Sequence, residues 1–131
     1  MKNQRITPLI VALIVLALVV TACNKGGSSP TATAKAFYDA AKSKDVAGMK
    51  SMMSKKTLDA LDQFAKANHT TVDELLTKSN DKEPPPATLE VRNEKISSDG
   101  NTATLEINQD GKGNWQTMRF VKEDGQWKFE G

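Results

Sequence analysis

Few residues in this chain can do chemistry. Cys23 is the single thiol among 131 residues, and it follows Val20-Thr21-Ala22. Its thiolate is a nucleophile able to carry a covalent group. His69 is the single imidazole, the side chain best suited to general base work near neutral pH. It lies in Asn68-His69-Thr70, a polar link between two helical segments, so a solvated loop residue is expected. Tyr38 falls on an apolar helical stripe beside Asp39, where its hydroxyl could reach a cavity and touch a ligand. Met49, Met52 and Met53 are soft thioethers of the kind that favour Cu(I). Their helical spacing reads as core packing instead. Trp115 and Arg119 are residue types that dominate protein interfaces, and both sit on the strand parity opposite the expected core. There is no phosphate loop, no metal-spaced cluster and no Ser/His/Asp set. No catalytic residue, metal or cofactor is therefore expected, and the protein reads as a non-enzyme.

The elements that position these residues begin with an address. Lys2 and Arg5 precede 12 consecutive apolar residues at positions 9–20. A membrane-spanning helix needs about 20 such residues. Twelve fits the apolar region of a secretory signal behind a basic start. Val20-Thr21-Ala22-Cys23 resembles the bacterial lipobox: an aliphatic residue, two small residues, then Cys. The resemblance implies cleavage between Ala22 and Cys23, with diacylglycerol on the Cys23 thiol and palmitate-type acylation of the new terminus. It also implies lipoprotein-processing enzymes as partners, and a location on the bacterial cell membrane with the domain on the non-cytoplasmic side. Asn24 is not Asp, which favours the outer membrane if the source is Gram-negative.

Residues 1–22 are expected to be the signal and 23–29 a lipidated Cys with a flexible tether. A single domain is expected over 30–131. Without the signal, 16 cations face 16 anions, so the mature part offers nucleic acid no electrostatic grip. Membrane attachment is expected through acyl chains on Cys23, not through charge.

Capping signals divide the first half of the domain into helices. Ser29-Pro30 starts one that carries Ala34, Phe37, Tyr38 and Ala41 on one face and ends near Lys44. Asp45 caps a short second helix with Val46, Met49, Met52 and Met53. Ser54 caps a third with Leu58, Leu61, Phe64 and Ala65 inward. Thr71-Val72-Asp73-Glu74 has capping-box spacing and opens a fourth. Residues 80–86, with three prolines, form a break.

The second half alternates with period two, and Asp99-Gly100, Asp110-Gly111 and Asp124-Gly125 separate four strands of a meander. A two-residue turn at Asp124-Gly125 sets Phe120 opposite Phe129 and puts Met118, Phe120, Trp127 and Phe129 on one face. A three-residue Ser98-Asp99-Gly100 loop sets Val91 opposite Ile107, which predicts a bulged turn with a left-handed Gly100. Glu90 and Glu106 point outward. The fold class is α+β, with N-terminal helices packed on one face of a four-stranded antiparallel meander.

That order of elements resembles the nuclear-transport-factor-2-like, or cystatin-like, superfamily. Ala36-Phe37-Tyr38-Asp39-Ala40-Ala41-Lys42-Ser43-Lys44-Asp45 is similar to its first helix and following turn. Phe120-Val121-Lys122-Glu123-Asp124-Gly125-Gln126-Trp127-Lys128-Phe129 is similar to the final hairpin of a lipoprotein branch described only as a domain of unknown function. The resemblance implies a helix-sheet cone that hosts both enzymes and non-enzymes. Three functions follow as expectations. One is a non-enzymatic envelope module that binds an envelope protein or wall component. Another is a carrier of a small apolar ligand between helices and sheet. The last is a small isomerase- or dehydratase-like enzyme.

Overall fold

Each helix starts where a short polar side chain can take an orphan N–H. In the computed structural model, which describes residues 27–131, the helices are α1 (Pro30–Lys42), α2 (Val46–Ser51), α3 (Lys55–Ala67) and α4 (Val72–Lys82). Ser29 Oγ accepts from Ala32 N–H at 3.0 Å, Asp45 Oδ1 from Gly48 N–H at 2.9 Å, Ser54 Oγ from Thr57 N–H at 3.1 Å and Thr71 Oγ1 from Glu74 N–H at 3.2 Å. All four expected caps are therefore in place.

Two helices end in one recurrent way. Asp45 N–H reaches Ala40 C=O at 2.8 Å while Lys44 N–H reaches Ala41 C=O, with Lys44 at φ 56°. Thr70 N–H reaches Ala65 C=O at 3.0 Å while His69 N–H reaches Lys66 C=O, with His69 at φ 52°. These are the paired bonds of a left-handed helix terminator. α1 accordingly stops at Lys42, two residues before the expected end.

Three further expectations need correction. The 80–86 break starts late, because α4 continues through Lys82. Proline bars the helix only from its own ring and the residue before it, and Glu83, before Pro84, is the first to leave (ψ 78°). Met52 and Met53 lie past the end of α2, although both are buried. Phe64 is 57% exposed instead of inward. The sheet's C-terminal end meets the first turn of α3, where Gly131 N–H donates to Thr57 Oγ1. Phe64 sits seven residues further on, about 10 Å along the helix, on the flank of the stripe centred on Leu61 and Ala65.

The strands β1 (Glu90–Ile96), β2 (Thr102–Asn108), β3 (Trp115–Glu123) and β4 (Gln126–Glu130) form an antiparallel meander in sequential order. Phe120 pairs with Phe129 and Val91 with Ile107, as expected. The register adjustment lies elsewhere than expected. Gly100 is left-handed (φ 72°), but Ser97 N–H bonds Thr102 C=O across a four-residue loop. The extra residue sits inside β1, where pairing shifts between Arg92 and Lys95 and Asn93 takes φ 53°. Such a bulge re-aims the side chains beyond it. Glu94 thereby turns to the helix side, where its Oε2 accepts from Thr31 N–H at 3.0 Å and Thr31 Oγ1 at 2.5 Å. It supplies the acid that the first turn of α1 lacks.

The helices cover one sheet face. Ala34, Ala103, Leu105, Ile107, Phe120 and Trp127 form the cluster between α1 and the sheet. Ala40, Ala41, Met49, Met52, Met53 and Leu76 form a second cluster among the helices. Phe129 joins them, with its ring centroid 6.2 Å from both Phe37 and Phe120. The methionines are thus packing residues.

The outer edge of β4 is closed. Trp127 N–H bonds Gly27 C=O, and Trp127 C=O accepts from Thr33 Oγ1. Phe129 N–H bonds Met52 C=O, and Phe129 C=O accepts from Ser54 N–H. Gly27, from the stretch expected to be tether, is therefore seated on the domain.

Candidate functional site

The sheet face away from the helices gathers the polar and aromatic groups. On β2 this face carries Thr104, Glu106 and Asn108, which pair with Arg119, Thr117 and Trp115 of β3. On β1 it carries Glu90 and Arg92, opposite Asn108 and Glu106. The expected outward placement of Glu90 and Glu106 is observed.

Arg92 lies 3.9 Å above the Trp115 ring centroid, close stacking for a cation on an aromatic face. Its Nε donates to Glu106 Oε2 at 2.6 Å, and the same oxygen accepts from Asn93 Nδ2 at 2.8 Å. These hydrogen bonds, the Arg92 one foremost, hold the Glu106 carboxyl below its ordinary pKa. The bulge explains part of this arrangement, since the left-handed backbone at Asn93 brings its amide to Glu106. Asn108 lies directly between Glu90 and Trp115 and is only 2% exposed. Its Nδ2 donates to Glu90 Oε2 at 2.7 Å, while its Oδ1 is buried without a partner. The indole is thus covered by a guanidinium that is held by Glu106, whose carboxylate is in turn held by Asn93.

Of the residues singled out by sequence, Trp115 is half-buried and Arg119 exposed, both on this face. They stand four positions apart on one strand, about 13 Å, so Arg119 is not the cation on the indole. Arg92, Glu106 and Asn108 were not picked out by sequence. Extending the Val91–Ile107 pairing by one residue places Arg92 opposite Glu106, and that extension was the available signal.

Tyr38 lies on α1, half-buried, with its hydroxyl buried and without a hydrogen-bond partner. Burial, then the charge of Asp39, raises its pKa. Lys42 Nζ lies 5.4 Å over its ring. His69 is exposed and serves the terminator of α3. A depression of about 470 Å³ between α1 and α2 is lined by Gly27, Ala36, Ala40, Gly48 and Met52, with Asp39, Ser43 and Asp45 as its polar groups. Among the described residues, no three His, Cys, Asp or Glu side chains gather at one place. None of the described helices is long and apolar enough to cross a membrane. Ala22 and Cys23, the expected cleavage and lipid sites, lie outside the described residues.

A search of curated proteins finds no match to this chain. A family model, the SnoaL-like domain, matches residues 31–130. That span takes in all four helices but for Pro30, and the whole meander, so the α+β class and the nuclear-transport-factor-2-like superfamily expected from the sequence both hold. The chain belongs to the SnoaL-like domain family, whose fold suits small-molecule binding or isomerase-like chemistry.

Proposed function

We propose that the protein is a lipid-anchored, non-enzymatic binding module of the bacterial envelope, with the outer sheet face as its recognition surface. The observation that carries this reading is the Arg92–Trp115–Glu106 clamp. An indole and a guanidinium held in one geometry lose little freedom when a partner covers them, which is what makes such pairs strong anchors. The partner would be an envelope protein or wall component. Acyl chains on Cys23 would supply the membrane attachment, after cleavage behind Ala22.

The test is crosslinking of the anchored protein in its host. Trp115→Ala is expected to lose the crosslinked partner while the protein stays folded and membrane-bound. An unchanged crosslinking pattern sinks the proposed surface. Lipidation has a separate readout: Cys23→Ala should abolish fatty-acid labelling and leave the precursor unprocessed.

A second reading has its own observation. The unpartnered Tyr38 hydroxyl is the one buried phenol of the helical layer, and a small apolar ligand with an acceptor group would satisfy it. Native mass spectrometry distinguishes this carrier reading. A bound mass lost in Tyr38→Phe supports it, and a bare wild-type chain removes it.

A further inference from the structure

The bulge inside β1 also sets the charge of one row across the open sheet face. Arg92 pairs with Glu106, so an unbroken strand would set Glu94 opposite Thr104. The extra residue sends Glu94 to the helix side and puts Lys95 opposite Thr104 instead. Thr104 in turn pairs with Arg119 of β3. An acid is thereby exchanged for a cation, and the row reads Lys95–Thr104–Arg119 across three adjacent strands. Lys95 and Arg119 are exposed and Thr104 is half-buried. The acids beside them are engaged elsewhere. Glu106 is held by Arg92 and Asn93, although Lys95 lies near enough to help lower its pKa. Glu130 of β4, opposite Arg119, instead meets Lys56 Nζ at 3.2 Å, with its side chain 17% exposed. Among the described residues, neither cation has a hydrogen bond or ion pair of its own, and the Thr104 hydroxyl has no hydrogen bond.

We propose that this row is a phosphate subsite, and that its ligand is a phosphate-bearing wall polymer laid along the open face. The two cations stand two strand spacings apart, about 10 Å, and their long side chains can converge above the hydroxyl between them. An ammonium, a guanidinium fork and a hydroxyl then donate from three directions. A tetrahedral phosphate offers oxygens on several sides to meet them, whereas a carboxylate offers two oxygens in one plane. The face has little to bury in a bilayer. The exposed large apolar side chains of the described residues, Phe64 and Ile96, lie on α3 and on the helix side of β1. Two cations are also too few for a nucleic-acid footprint, which takes a stripe of them. Trp115, about 13 Å from Arg119 along β3, would meet a neighbouring unit of the same polymer. The choice of a wall polymer rests on the envelope reading above, and the phosphate subsite itself does not.

Phosphate titration of the full wild-type chain tests the subsite, read by NMR at constant ionic strength. Inorganic phosphate should give saturable shifts at Lys95, Thr104 and Arg119, with chloride and acetate as the comparison anions. Shifts that chloride or acetate reproduces, or that spread equally to the exposed Lys35 of α1, overturn the proposal. Arg119→Gln and Lys95→Gln should each weaken phosphate binding about fivefold, the range of one exposed ionic contact. Thr104→Val keeps the branched strand shape and removes only the donor. A weakened affinity is expected there, and an unchanged one reduces the row to diffuse positive charge and overturns the subsite. Poly(glycerol phosphate) and phosphatidylglycerol vesicles then separate the sources. The polymer should bind more tightly than inorganic phosphate. Equal binding, or shifts produced by vesicles alone, overturns the wall assignment. The two readings fail separately. A chain that binds phosphate but captures no crosslinked partner in its host loses the envelope reading alone. An Arg119→Gln chain that loses phosphate binding yet captures its partner unchanged removes the subsite from recognition and leaves the face in place.

Discussion

The two faces of the sheet are made from the same strands and differ in nearly every other respect. On the covered face Leu105 is 1% exposed, Phe120 2% and Trp127 3%, and all three belong to one core cluster with Ala34 of α1. On the open face Arg92 and Glu106 form an ion pair that remains partly in water, with side-chain exposures of 49% and 30%. Apolar burial stabilises by about 25 cal/mol per Å² removed from water, whereas an exposed ion pair contributes about 0–1 kcal/mol. One face therefore holds the fold, and the other is free to carry recognition without risking it.

Substitutions test that division in order of size. Phe120→Ala should cost about 3–5 kcal/mol, read from urea denaturation. A loss below 1 kcal/mol would break the comparison at its stronger end. Trp115→Ala should cost about 1 kcal/mol, from the lost cation-π contact and the uncovering of Asn108. A loss as large as that of Phe120→Ala would mean that the open face is structural. Acid offers a finer probe. The Glu106 carboxyl lies below its ordinary pKa in the folded chain, so its contribution is complete above the ordinary carboxylate range. It fades as the pH falls through the lower folded value. The Glu106 carboxyl and Trp115 indole NMR signals should move together in that range, and Glu106→Gln should remove the coupled change. Phe64→Ala, at an exposed helix position, should fall within about 0.5 kcal/mol of wild type. A larger loss would show a contact on α3 that the fold does not explain.

What could be read from the sequence follows the range of the forces involved. Caps at Ser29, Asp45, Ser54 and Thr71 involve groups within three residues, and all were legible. Alternation and turn length gave the covered face and the Phe120–Phe129 register for the same reason. The bulge at Asn93 was not legible, because two placements of one extra residue satisfy the same Val91–Ile107 pair. The choice between them involves Glu94 and Thr31, 63 residues apart. The clamp was missed because Arg92, a lone charge on an alternating strand, reads as ordinary surface until its cross-strand neighbours are known. Trp115 and Arg119 were seen as a pair only through their shared strand, and the fold supplies Arg92 as the real partner of the indole.

The closed edge of β4 bears on how the protein should be handled. A strand border with free N–H and C=O groups recruits other strands and seeds assemblies. Here Gly27, Thr33, Met52 and Ser54 occupy those groups at Trp127 and Phe129. A recombinant form trimmed to start at Pro30 would lose Gly27 and bare the Trp127 amide beside two aromatic side chains. Such a truncation invites filament growth and shortened shelf life, whereas a start point upstream of Gly27 keeps the border sealed.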